Sequence, residues 1–239
     1  MGTQEFLNFI DGEFSPAQSK NHFAKMNPFT GEILGTVAAS DAMDVIRAIQ
    51  AAKRAQIEFE KWTLSQRAEL LNQIADKLEQ KMEEYAMSEA LHQGLPFSFV
   101  KEKSLHFAAQ KFRQASSAVT DLEKNKSLNK QFQPTGIISI LLSWNLSLRL
   151  LAERLAPALA AGNICIVKVS ELSPVTANIF GEVLQAVQAP KGLVQFIQGR
   201  GSEVGALLAA HPSIRAVNFV GELNTAEKCG MGALADCKH

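Results

Sequence analysis

The sequence predicts an α/β protein in which a helical N-terminal segment, opened by short strands, precedes a doubly wound parallel sheet. Two observations carry this. From Gly136 onward, short apolar runs rich in Ile and Val alternate with stretches of helical periodicity, the mark of strand–helix–strand units joined by right-handed crossovers. Before Gly136, apolar residues recur at three- and four-residue spacing over long stretches, as in helices that bury one face.

In chain order, residues 5–37 read as extended pieces separated by turns: NFIDGEF, MNPFTGE and ILGTV. Asp11-Gly12 signals a tight hairpin, and Asn27-Pro28 and Thr30-Gly31 add turn signals. Asp41 suits a helix N-cap, with Asp44 in the first turn and Val45, Ile49 and Ala52 on one face. Thr63 and Gln66 have capping-box spacing before a second helix, whose stripe is Leu70, Leu71, Ile74, Leu78, Met82 and Tyr85. Gly94 and Pro96 punctuate its end, and a third helical pattern runs from about Phe97 to Ala118. Residues 119–135, around DLEKNKSLNKQ, read as a polar connection. The chain thus divides into 1–118, the connection 119–135, and 136–239.

In the last part, GIISILL, NICIVKV, LVQFIQG and AVNFVG are apolar enough to be strands buried on both faces. Helices are expected at about 147–161, 173–188, 202–210 and 224–235, with Ser173-Pro174 as N-cap and first-turn pair and Gly162 at a helix end.

Bulk properties exclude several functions. Lys plus Arg (24) balances Asp plus Glu (24), so there is no electrostatic footprint for nucleic acid or an anionic membrane. The start, MGTQEFLNFIDGEF, is acidic where a secretion signal is basic, and no stretch reaches the ~18 apolar residues of a membrane helix. A cytoplasmic protein is expected. Cys165, Cys229 and Cys237 are too few for a disulfide framework and lack metal-ligand spacing.

Ligands of open α/β sheets bind beyond the carboxyl ends of the strands. The residues there are Ser143, Trp144 and Asn145 after the first run, and Lys168, Ser170 and Glu171 after the second. GRGSEVG (199–205) follows the third, and Val220, Gly221 and Glu222 follow the fourth. Glu171 could accept from ribose hydroxyls and Lys168 donate to them, while the glycines let backbone approach a phosphate at a helix start. Singly these signals are weak: the last glycine of GRGSEVG is one position later than in the dinucleotide fingerprint, and a lysine leaving a buried strand is usually only solvated.

As a set they resemble the aldehyde dehydrogenase superfamily. ILLSWNLSL matches the family's Pro-Trp-Asn segment, LAPALAAGN (155–163) its next helix and turn, and VKVSELSPVTA (167–177) its Lys-Pro-Ser-Glu segment. GSEVGALLAAHPSIRAVNFVG (201–221), NFIDGEF and NPFTGE also match. Within the family, LLNQIADKLEQKMEEYA, SWNL and NTAEKC are most similar to the branch acting on amino- or hydroxymuconic semialdehydes. The resemblance implies a Rossmann-like domain that binds NAD or NADP. It gives Asn145 an oxyanion-stabilising role, Lys168 and Glu171 the adenosine ribose, and Trp144 a place beside the cofactor. Gly201 falls on the adenine side and Gly221 near the pyrophosphate beside Glu222, and Ser170 and Gly205 are further cofactor-binding positions.

The sequence also departs from the family. Ser143 and Ser147 replace the two prolines around Trp-Asn, Val169 replaces the proline of Lys-Pro-Ser-Glu, and Glu222 replaces a serine that contacts the pyrophosphate. Like charges about 4 Å apart repel by roughly 4 kcal/mol at an effective dielectric of 20, so cofactor binding is expected to be weakened or lost. The family's nucleophilic cysteine and general-base glutamate lie beyond the fourth strand, and this sequence stops at CKH. The expectation is a truncated family member, inactive alone. The alternatives are the cofactor-binding half of a split dehydrogenase and a pseudoenzyme acting as a binding module, and the sequence leaves these open. Residues 215–220 are expected to form an exposed edge strand, through which the chain self-associates or docks a catalytic half.

Overall fold

The computed structural model describes residues 4–125 and 133–234. Among the described residues, nine strands form two sheets. β1 (Gln4–Phe6), β4 (His22–Met26) and β5 (Ile33–Ala38) make a three-stranded sheet in the order β1-β5-β4. The larger sheet has the order β3-β2-β8-β7-β6-β9. In it β6 (Ile137–Leu141), β7 (Ile164–Lys168), β8 (Val194–Phe196) and β9 (Ala216–Phe219) are parallel, as expected.

The N-terminal strands do more than precede this sheet. β2 (Asn8–Ile10) and β3 (Glu13–Ser15) form the hairpin signalled by Asp11-Gly12, both of which take the positive φ (57° and 81°) that a two-residue turn of this hand requires. β2 then pairs antiparallel with β8 through Phe9 and Phe196. MNPFTGE is not a strand beyond Met26. The Asn27 side-chain oxygen accepts from the N–H groups of Phe29 (2.9 Å) and Thr30 (3.3 Å), holding residues 27–32 as a turn.

α1 (Ala42–Phe59) and α2 (Leu64–Gln80) both start on capping boxes, made by Asp41 with Asp44 and by Thr63 with Gln66. The long stripe from Leu70 to Tyr85 is interrupted at Lys81, after which α3 (Met82–Gln93) runs to the left-handed Gly94. A helical run follows as α4 (Phe97–Val100), a π-helical turn (Lys101–His106) and α5 (Phe107–Lys124). Residues 119–124, assigned to the connection on their polarity, are therefore helix. Val119 extends the buried stripe of Phe112, Ala115 and Ser116, and DLEK is the solvated last turn, with Lys124 suited to the helix C-terminus. Residues 126–132 of the connection and Cys237 lie outside the described residues.

The crossovers are α6 (Ser147–Ala160), α7 (Val175–Ala186) and α8 (Ala206–Ala210), with a π-helical turn at Gly201–Gly205 leading into α8, and α9 (Leu223–Leu234) follows β9. Ser173 does not cap α7 with its side chain, because its hydroxyl is drawn into a buried cluster with Ser147 and Thr176. An aromatic chain ties the layers together: Phe112 on α5 lies 5.5 Å from Phe180 on α7, which lies 6.0 Å from Phe196 on β8. All residues of β6 and β7 are buried, whereas β9, bonded only to β6 among the described residues, is half-buried along its length. No described helix is long and apolar enough to cross a membrane.

Candidate functional site

The four parallel strands end on one rim, and the segments that leave them converge there. A cavity of about 340 Å³ is walled by Trp144 after β6, Lys168, Ser170 and Glu171 after β7, Gly201 and Gly205 after β8, and Gly221 and Glu222 after β9. All eight cofactor-side residues named from the sequence thus face one space. Asn145 does not line it. It is exposed on the turn one residue beyond Trp144.

Lys168 and Glu171 form the polar centre. The Lys168 side chain is 5% exposed, and its Nζ donates to Glu171 Oε2 at 2.6 Å. Burial pushes the ammonium pKa down, and the Glu171 charge works against that. Burial also pushes the Glu171 carboxyl up, but the Lys168 charge and hydrogen bond, with the backbone N–H groups of Glu171 and Gly201, outweigh it and leave the pKa below the usual carboxylate range. At neutral pH the pair offers a fixed acceptor beside a fixed donor, the pattern a vicinal diol satisfies.

The glycines differ in what they do. A Cβ at Gly205 would meet nothing within 4 Å, and one at Gly201 would meet only Lys168 Nζ, at 3.7 Å. Neither glycine is demanded by internal packing, so the space they leave belongs to the cavity, a cradle of the kind a dinucleotide needs. Gly221 is glycine for another reason, since a Cβ there would stand 2.5 Å from the Phe219 ring. Glu222 is exposed and precedes α9, and its carbonyl accepts from the N–H groups of Thr225 (3.1 Å) and Ala226 (2.9 Å). These bonds fix the Glu222 backbone at the positive end of that helix, the end to which a phosphate is drawn.

The turn that carries Trp144 and Asn145 hangs from α3. Gln93 Oε1 accepts from the Leu146 N–H at 3.0 Å, and Glu89 Oε1 accepts from the Leu148 N–H at 3.0 Å, at the start of α6. Glu89 also accepts from Ser104 Oγ (2.6 Å) and Gln93 Nε2 (2.8 Å), and its burial raises its pKa to about 7. A second cavity, about 470 Å³, adjoins the first through Trp144 and Glu171 and is walled by Phe23, Lys25, His92, Gln93 and Arg200 among others.

Sequence reasoning missed Gln93, Arg200 and this second cavity. Only the position of Gln93, at a helix end marked by Gly94 and Pro96, hinted at the first of them. Cys229, set aside in the sequence as neither disulfide partner nor metal ligand, lines the first cavity from α9. Burial raises the pKa of both described cysteines, Cys229 and the fully buried Cys165 in β7. Neither is poised as a thiolate.

Residues 14–238 match the model of the aldehyde dehydrogenase family. The chain is 33% identical to human 2-aminomuconic semialdehyde dehydrogenase, over 99% of this chain and 50% of that protein. It is 31% identical to 2-hydroxymuconic semialdehyde dehydrogenase of Pseudomonas sp. (strain CF600), over 94% of this chain and 49% of that one. Among solved structures, the NAD+ complex of an aldehyde dehydrogenase from Bacillus cereus superposes with a TM-score of 0.92 at 26% identity, over 99% of this chain and 50% of that one. The chain spans about half the length of the curated relatives it matches. With its strand order, its rim residues and a family match over nearly its whole length, this chain belongs to the aldehyde dehydrogenase family.

Proposed function

We propose that these residues are the dinucleotide-holding half of an NAD-dependent aldehyde dehydrogenase. The observation that carries this is the buried Lys168–Glu171 pair beside two glycines that no packing requires. Glu171 accepts from, and Lys168 donates to, the hydroxyls of the adenosine ribose. Gly201 and Gly205 admit the backbone to the adenine side, with Ser170 beside them. Trp144 walls the cavity next to the turn that carries Asn145, whose side-chain amide is the donor to an oxyanion developing on the substrate. Bound NAD supplies the hydride acceptor.

The same reading holds cofactor affinity low, because Glu222 brings a negative charge to the residue just before the helix end that a diphosphate would use. Aldehyde oxidation in this family also needs a thiolate nucleophile and a general base. Neither described cysteine serves, so in this proposal those groups come from beyond the described residues. As proposed, the chain alone turns over no aldehyde. A complementing polypeptide docks along the β9 edge, which accepts a further strand. A semialdehyde substrate, as the names of the two relatives suggest, is part of the same proposal. Isothermal titration of the purified chain with NAD tests it. Binding that Glu171→Gln abolishes supports the assignment, and binding indifferent to both Lys168 and Glu171 overturns it.

A further inference from the structure

We infer that Gln93 is the positioning residue for the Trp144–Asn145 turn: its side chain, reaching from α3, holds that turn in a conformation the turn would not keep by itself. The inference rests on the proposed roles of Trp144 and Asn145 for its functional meaning, though not for its geometry.

Leu146 has φ 48° and ψ 50°, the left-handed conformation that a residue with a Cβ rarely adopts. Nothing in the residue favours it, because leucine has no side-chain polar group with which to bond its own backbone there. A proline at position 147 would also oppose it, since the residue before a proline is pushed toward extended backbone. Ser147 removes that opposition, and Gln93 supplies the hold. Gln93 Oε1 takes the Leu146 N–H at 3.0 Å. The Gln93 amide is fixed in turn by Nε2 donating to Glu89 Oε1 (2.8 Å), Ser173 Oγ (3.2 Å) and Ser147 Oγ (3.3 Å). Glu89, Ser147, Ser173 and Thr176 are completely buried and Gln93 is 8% exposed. Glu89, bonded to Leu148 N–H and Ser104, makes the cluster rigid from the other side.

A glutamine whose two ends are both engaged has little freedom to let the turn go. Gln93 also forms part of the wall of the 470 Å³ cavity beside Trp144, so one residue joins that cavity to the turn. The two rim residues beyond β6 are thus placed by α3, an element outside the parallel sheet.

The test is hydrogen exchange of the Leu146 amide, followed by NMR in wild type, Gln93→Met and Gln93→Asn. Gln93→Met removes the acceptor, and Gln93→Asn keeps a polar group in the cluster but falls one methylene short of the Leu146 N–H. Both are expected to speed Leu146 exchange at least ~10-fold, the effect of losing one hydrogen bond that nothing replaces. Amides of the β6–β7 ladder should keep their rates. In a Trp62→Phe background, acrylamide quenching of Trp144 should rise in parallel. Unchanged Leu146 exchange in a folded variant overturns the inference, and so does acceleration spread equally over the ladder. If Gln93→Met does not fold, Gln93→Asn decides by the same readout. NAD titration is the separate arm. A wild type that binds no NAD removes the functional reading while the exchange result still settles the positioning. Where NAD does bind, the variants should weaken it several-fold.

Discussion

The Lys168 ammonium and the Glu171 carboxylate meet at 2.6 Å, three residues apart, at the point where β7 leaves the sheet. Each holds the other in its charged state against burial, and Gly201 lies against the same pair. Lys168→Met should weaken NAD binding by roughly 10- to 100-fold, the worth of one hydrogen bond from a charged donor, about 1.5–3 kcal/mol. Calorimetry at constant salt reads it directly, and an unchanged Kd would remove Lys168 from the binding site.

Glu222→Ser should act in the opposite direction. The repulsion of roughly 4 kcal/mol expected at 4 Å is reduced by solvent at this exposed position, so about a 3- to 10-fold gain in NAD affinity is expected. The gain should shrink when salt is raised to about 1 M, where the screening length falls to ~3 Å. A salt-independent gain would point to packing at the start of α9 instead of charge.

Glu89 makes stability depend on pH. Its pKa of about 7 in the folded chain stands above the ordinary value of 4.5, so the folded state holds the proton more tightly than the unfolded one. Its contribution is fully present below pH 4.5 and is lost as pH rises to about 7. The slope over that window should cost on the order of 3 kcal/mol, at 1.36 kcal/mol per pKa unit. Urea unfolding of Glu89→Gln should show that slope flattened, and a variant with the wild-type pH profile would be the contrary result.

β9 makes the last prediction. With half-buried residues and one bonded neighbour among the described residues, it is a short apolar edge open to pairing. Val217→Lys should reduce self-association seen by size-exclusion chromatography with light scattering. Phe219 is a poor site for the same test, because its ring packs against Gly221 at the cavity wall. A wild type that stays monomeric at high concentration would count against pairing through this edge.

What was legible in the sequence followed from local rules. Asp41 with Asp44, Thr63 with Gln66, and Asp11-Gly12 each act within four residues, and all three formed as read. The rim residues could be placed because strand ends in a parallel sheet must face one way. What escaped were choices made by distant partners. Ser173 looks like a cap in isolation, yet Ser147 and Thr176 compete for its hydroxyl. DLEK looks like a loop by polarity, yet Val119 still has a core to reach. Gln93 gives no sign in the sequence that it will bond an amide 53 residues away.

The hairpin joined to β8 bears on how the chain is made. Phe9 pairs with Phe196, and the Asp11 N–H donates to the Gln195 side chain across 184 positions of sequence. At about 5–20 residues per second, a ribosome would leave the first strands without their sheet partner for roughly 10–40 s. During that interval β2 is an unsatisfied apolar strand, and its closing contact is distant in sequence, the kind of long-range pairing that slows folding. Docking of residues 4–15 is therefore expected only after β8 has been made, and this segment is the one most in need of a chaperone until then.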